Sequence, residues 1–338
     1  MKAAREIGVE RATRTSRAAA VVAVLLVAVA ISMPWWAERS TQRLLGEFLY
    51  VLALAQMWNL LAGYGGLLSV GQQAFVGIGA YCLVVFGLNL GLNPFWTVPI
   101  AGLVAGLLAL PTAAIVFRLR GAYFAVGTWV VAEVFRLFAA NTTAVGGGQG
   151  ISVTNTMRGI PTWVRESTTF WMSLALGVGS TLVVYFLLRS RHGLALTAVR
   201  DSEPASESLG IQVNRMKWLV YVISAVGCGM AGALIYITKL RVSPEAAFSI
   251  DWTAAMFFIV VIGGIGTLEG PIVGALVYFG LREWLSDYST WYLIVLGSFA
   301  VVVMLWAPRG LWGLLANRFD LRLFPVQRRL KLPQGDGS

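Results

Sequence analysis

Arg189 to Lys217 reads RSRHGLALTAVRDSEPASESLGIQVNRMK, with long apolar runs on both sides. Five basic residues lie in it: Arg189, Arg191, Arg200, Arg215 and Lys217. Short loops rich in Lys and Arg stay on the cytoplasmic side of a membrane, so this stretch orients the chain. It also carries helix signals. Asp201 or Ser202 can cap, Pro204 suits a first turn, and Gly210 suits the position just past the last one. A small capped helix held between two spans is a means of docking a cytoplasmic partner. A plain solvated loop is the simpler alternative at this length.

Composition bounds the class. Of 338 residues, 57% are hydrophobic and only 12% charged, and mean hydropathy is +0.73. Soluble domains run near a quarter charged, so the expectation is an all-α polytopic membrane protein. The net charge of +10 is explained by loop topology, and no nucleic-acid-binding motif is present. Cys82 and Cys228 lie inside apolar runs and read as packing residues. His192 stands alone, without a second His to share a metal.

Ten spans are predicted: 18–36, 44–62, 69–91, 95–117, 121–140, 169–188, 217–238, 252–268, 271–287 and 290–308. Each is near the roughly 20 residues that a helix needs to cross the hydrocarbon. The first run has a basic leader but no small-x-small cleavage site after it, so it reads as a retained anchor. Starting inside, 18 of the 26 basic residues fall on the cytoplasmic side, which favours both termini in the cytoplasm. The expected organisation is a basic N-terminal segment (1–17), a membrane domain (18–308) and a basic tail (309–338). Within the membrane domain, 141–168 is external and 189–217 cytoplasmic. Tryptophans such as Trp35, Trp36, Trp96, Trp163 and Trp306 sit near span ends, as an interfacial belt requires.

Glycines interrupt the spans at two places. One is Gly63-Tyr64-Gly65-Gly66 with Ser69, Gly71, Gln72 and Gln73. The other runs Gly263-Gly264-Ile265-Gly266-Thr267-Leu268-Glu269-Gly270-Pro271. Non-helical backbone at membrane depth is tolerated only where protein or a water-filled cavity satisfies it. Breaks in both halves therefore point to a solute pathway or its gate. Gly77 and Gly79 fit close helix packing instead. Polar groups inside the spans are sparse: Gln56, Asn59, Gln72, Gln73, Thr128 and Glu133. Glu133 and Arg136 stand three apart on one helix face and can pair, which lowers the cost of burying either.

Several chemistries lack their residues. None of the four lysines follows a glycine, so no G-x-x-x-x-G-K-[ST] phosphate loop exists. No His/Cys/carboxylate set has metal spacing, no G-x-S-x-G elbow is present, and no chain of Asp, Glu and His threads the spans as a proton relay would.

The ordered set of motifs resembles the permease subunits of bacterial ABC importers of the branched-chain amino acid (LivM-type) family, from about Gln56 to Pro308. Its pieces are NLLAGYGGLLSVG at 59–71, RGAYFA at 120–125, GGGQGI at 146–151, GLAL at 193–196, Arg200-Asp201, LGI at 209–211, AGAL at 231–234, SPE at 243–245 and GGIGTLEGPIVGA at 263–275. The resemblance implies an ATPase-coupling segment around Arg200, Asp201, Glu203, Pro204, Ala205, Glu207, Leu209 and Gly210. Pro204 departs mildly from the family pattern. The family's external glycine motif carries a proline that Gly147-Gly148-Gln149-Gly150 lacks. Candidate pathway and gate residues are Asn59, Ser69, Gln72, Gln73, Gly147, Gly148, Gln149, Gly263, Gly264, Gly266, Glu269 and Pro271.

The same resemblance implies a second homologous permease, two cytoplasmic ATPases that bind ATP and Mg, and a periplasmic solute-binding protein. The chain itself would hold no cofactor and perform no chemistry, and would sit in the bacterial inner membrane. Branched-chain amino acids are the expected solute. Urea, short amides or aromatic acids in the same permease class, and a secondary transporter working alone, remain alternatives.

Overall fold

The computed structural model describes residues 8–10, 14–285, 291–307, 309–319, 323–324 and 329–331. Among these, helices account for almost the whole fold. They are α1 (Arg14–Trp36), α2 (Arg39–Asn59, continued by a π-helical turn at Leu60–Tyr64), α3 (Gln73–Cys82, continued by π-helix at Leu83–Asn89), α4 (Thr97–Val116) and α5 (Ala122–Asn141). Next come α6 (Thr162–Arg189), α7 (Arg191–Asp201), α8 (Glu203–Ser208), α9 (Val213–Lys239) and α10 (Pro244–Ala247). The series ends with α11 (Ile250–Gly263), α12 (Gly270–Trp284), α13 (Trp291–Trp306) and α14 (Gly310–Phe319).

Among the described residues, seven segments are long and apolar enough to cross a membrane, or eight if the bent pair α13 and α14 forms one span. Three of the ten expected spans appear as shorter helices: α3 with its π-helical extension, α12 and α13. The span expected at 69–91 begins later, at Gln73, because 66–71 leaves the helix. The span expected at 252–268 ends at Gly263. Parts of the spans expected at 271–287 and 290–308, and parts of both basic terminal segments, lie outside the described residues.

α9 is the centre of the bundle, with 78% of its apolar window buried, and it packs on α4, α3, α2 and α6. The close approaches depend on small residues. A Cβ on Gly79 would collide with the Gly229 carbonyl, and one on Gly232 with the Val76 carbonyl. This lets α3 and α9 touch backbone to backbone, the usual device where hydrocarbon supplies no hydrophobic drive between helices. α1 is peripheral, with 6% of its window buried.

Two small antiparallel pairings tie distant segments together. β2 (Ile151–Ser152) pairs with β3 (Arg241–Val242), and Val153 N–H donates to Leu240 O at 3.0 Å. These bonds anchor the loop 142–161 to the connection after α9. β1 (Gly8–Glu10) pairs with β4 (Arg329–Lys331), which brings these two segments side by side.

Candidate functional site

Local rules explain the 189–217 segment, with one correction. It holds two helices where one was expected. Ser190 caps α7 by accepting from His192 N–H at 3.1 Å, and α7 then runs through Asp201. Asp201 is therefore the last residue of α7 and caps nothing. Ser202 caps α8, accepting from Ala205 N–H at 3.4 Å with Pro204 in the first turn. Gly210 adopts φ +78, and its N–H bonds Glu207 O (2.9 Å) while Ile211 N–H bonds Ser206 O (3.0 Å). That is a Schellman closure, and it requires a residue tolerant of the left-handed region. Glu203 reaches Lys217 on α9 at 2.6 Å. Leu209 stands 78% exposed at the tip of α8, a large apolar knob with no cover.

At the same end of the bundle the two glycine breaks meet. Asn59 is fully buried on α2. Its amide donates to Thr267 O (2.8 Å) and its Oδ1 accepts from Gly266 N–H (2.8 Å). One turn earlier, Gln56 donates to Leu268 O at 2.9 Å. The backbone of Gly63 lies against that of Gly266, so closely that Gly63 admits no side chain, and Gly266 takes the left-handed conformation at φ +74. The Arg200 guanidinium, near the end of α7, donates to Gly63 O at 3.1 Å and lies beside Gly266, while the stem of Arg200 passes Gly66. Gly264 packs on the backbone of Arg309 and Gly310. Glu269 is buried in the turn before α12, where burial pushes its carboxyl above the usual carboxylate range, opposed by the Phe324 N–H that donates to it at 3.0 Å. Pro271 opens α12 in its first turn, where its missing N–H costs nothing.

Deeper in the bundle, residues 66–71 run through the protein outside the helices; Leu67 N–H donates to Leu61 O (3.0 Å) and Ser69 N–H to Leu67 O (2.9 Å), and side chains satisfy other groups of the stretch. Trp58 Nε1 donates to Ser69 O (2.9 Å), Val70 N–H to Thr128 Oγ1 (3.1 Å) and Gly71 N–H to Ser69 Oγ (3.2 Å). At the start of α3, Gln73 N–H donates to Thr253 Oγ1 (3.2 Å), and Ser224 donates to Gln72 Oε1 (3.3 Å). Gln72 Nε2 and Gln56 Oε1 are buried with no hydrogen-bond partner among the described residues. Gly147, Gly148 and Gln149 lie at the opposite end, in the pinned loop against Ala140 of α5, with Arg241 donating to Gln149 O at 3.3 Å.

The expected gate residues thus fall in three places. Asn59, Gly263, Gly264, Gly266, Glu269 and Pro271 come together with Arg200. Ser69, Gln72 and Gln73 form a mid-bundle polar group. The 147–149 glycine motif stands apart at the far end. Sequence reasoning missed Trp58, Ser224 and Thr253 as partners, since nothing local marks a hydroxyl or indole that serves a loop 11 to 180 residues away.

Residues 40–307 match the family described as "Branched-chain amino acid transport system / permease component". The chain belongs to this family. It is 32% identical over 325 residues to the high-affinity branched-chain amino acid transport system permease protein LivM of Escherichia coli (strain K12), covering 88% of this chain and 76% of that protein. A probable branched-chain amino acid transport permease protein LivM of Methanocaldococcus jannaschii is 24% identical over 222 residues, 65% of this chain and 60% of that one. The LivH permease protein of Escherichia coli (strain K12) is 32% identical over 173 residues, 50% of this chain and 52% of that one. No solved structure matches. The chain is a permease component, a multi-pass protein of the bacterial inner membrane.

Proposed function

We propose that this permease is the solute-translocating subunit of an ATP-driven importer of branched-chain amino acids, and that its cytoplasmic end is the one carrying α7 and α8. On this reading it crosses the membrane ten times. It pairs with a second homologous permease and with two cytoplasmic ATPases that supply all the ATP and Mg chemistry. A periplasmic binding protein delivers the solute to the loop 142–161. The basic 189–217 segment supports the orientation, and the β1–β4 pairing supports an even number of crossings.

One observation carries the mechanism. Arg200, in the last turn of α7, donates to Gly63 O at 3.1 Å, beside Gly266. Movement of α7 and α8, with Leu209 seated in an ATPase groove, pulls on both glycine breaks at once. The breaks are held to each other by Asn59, so they shift as a unit or part as a unit. A packed contact of this kind has discrete arrangements rather than a continuous range, which suits switching between outward-open and inward-open states.

The test is ATP-dependent uptake of radiolabelled L-leucine by the full complex in proteoliposomes with its binding protein. Gly210→Pro and Glu207→Lys lower uptake while the chain still inserts. Unchanged uptake in both removes the coupling assignment. Uptake by the chain alone, driven by an ion gradient, overturns the importer reading. Uptake of urea, a short amide or an aromatic acid in place of leucine reassigns the solute.

A further inference from the structure

α5 presents two unlike faces. Phe124, Thr128, Ala132 and Ala139 are buried against α3, α10 and the 66–71 break. The other face is open, and only 22% of the helix window is buried. At 100° per residue, Val126, Trp129, Val130, Glu133, Arg136 and Leu137 share that open face. The four apolar members are large and exposed.

A charged pair stands in the middle of it. Arg136 Nε donates to both carboxylate oxygens of Glu133, at 3.0 and 2.9 Å. The side chains are 28% and 43% exposed respectively. Glu133 is the twelfth residue of a 20-residue helix, so it sits roughly 12 Å below the far end, at hydrocarbon depth. Arg136 does not reach outward to the interface, as a lipid-facing arginine does. It turns back along the helix toward Glu133, deeper into the membrane. The charge of Glu245, on α10, also acts on Arg136.

Charged groups at this depth face a bundle interior or a water-filled cavity, not lipid. The molecule supplies its own contrast. α1 is also exposed along its length, yet it carries no charged residue from Ala18 to Trp36. The two exposed faces therefore meet different surroundings.

We propose that the open face of α5 lines the aqueous route of the solute, opposite the second permease, and that Glu133 and Arg136 read the α-ammonium and α-carboxylate of a zwitterionic solute. This rests on the importer reading above. The chemistry matches in both parts. Arg136 offers a carboxylate a planar fork of donors, and Glu133 offers an ammonium an acceptor. The flanking Val126, Trp129, Val130 and Leu137 offer a short apolar side chain its surroundings. When no solute is present, the two charges satisfy each other. Gly147 and Gly148 of the pinned loop lie against Ala140, in the last turn of α5 beyond Leu137.

The experiment uses the complete complex in proteoliposomes and has two arms. In the first, Val130→Cys is exposed to a membrane-impermeant thiol reagent, with Val24→Cys on α1 as the lipid-facing control. The native Cys82 and Cys228 are buried. Labelling of the first variant alone, slowed by L-leucine, supports the route. Labelling no faster than at Val24→Cys overturns it, whatever solute the importer carries. In the second, uptake of L-leucine is measured for Glu133→Gln, Arg136→Gln and the exchange Glu133→Arg with Arg136→Glu. A tenfold or greater loss in all three, partly rescued by Arg136→Lys, is the expected result. Recovery of uptake by the exchanged pair shows that only mutual neutralisation matters, and overturns the solute-reading role. Absence of leucine uptake by the wild-type complex is failure of the importer reading, and the labelling arm still decides whether the face is wet.

Discussion

Gly63→Ala isolates the contact that joins the two breaks. A Cβ built on Gly63 lies 2.6 Å from Gly266 N, 2.9 Å from Gly266 Cα, and closer still to Asn59 Oδ1. Two of these are backbone atoms and cannot rotate away. Relief requires the α11–α12 turn to withdraw by several tenths of an ångström, and Asn59 must tilt. Overpacking of a tight interior costs about 1–3 kcal/mol. Losing the Asn59 bond to Gly266 N–H adds about 1 kcal/mol. The expected destabilisation is therefore about 2–4 kcal/mol, which for a chain of this size lowers an apparent melting temperature by several degrees, at roughly 2 °C per kcal/mol. The assay is thermal unfolding of the purified permease in mild detergent, alongside Gly280→Ala. Gly280 lies in α12 with nothing within 4 Å of its Cβ position, so alanine there is neutral or stabilising by about 0.5–1 kcal/mol. Uptake by the complex falls in Gly63→Ala and holds in Gly280→Ala. If the two variants melt within about 1 °C of each other, the spread of neutral substitutions, the breaks are not locked together as described.

Three further outcomes are expected. Arg200→Lys keeps the charge but loses the fork that reaches Gly63; because Arg200 is partly exposed, stability changes by less than about 1 kcal/mol, while ATP-dependent uptake falls severalfold, so a variant with normal uptake contradicts the linkage. Gly210→Ala places a Cβ at φ +78 with open space around it, costing about 1 kcal/mol of local strain; faster proteolysis within 203–211 at unchanged global melting is the readout. Glu269 has a raised folded-state value, so its contribution is fully present below about pH 4.5, the ordinary glutamate value, and is lost as pH rises through the higher folded value. Wild type therefore loses more melting temperature than Glu269→Gln on going from acid to neutral pH, and parallel pH profiles for the two would remove the buried carboxyl from the account.

Hydropathy runs and capping residues were legible because they act over one helical turn or one bilayer thickness. Ser202, Pro204 and Gly210 announced α8. The glycine clusters announced interruption at Gly63 and Gly264. Helix α7 was missed because GLALTAVR has no amphipathic stripe of its own; Leu196 and Val199 are buried while Leu194 points outward. The late start of α3 was missed because 66–72 is as apolar as a helix, and only its hydrogen bonds to Trp58 and Thr128 set it apart.

Apolar content and charge bias required a bundle of membrane helices, since a chain with so few charged groups can hide its backbone from hydrocarbon only by coiling it. Which break meets which was not contained in either run of residues. Asn59 lies 207 positions from Gly266, and Arg200 lies 137 from Gly63. Each partner is locally an ordinary polar group or a small residue. Their meeting depends on how α2, α7 and the α11–α12 turn pack, because a hydrogen bond is selected by distance in space and carries no trace in the sequence until the helices are in place.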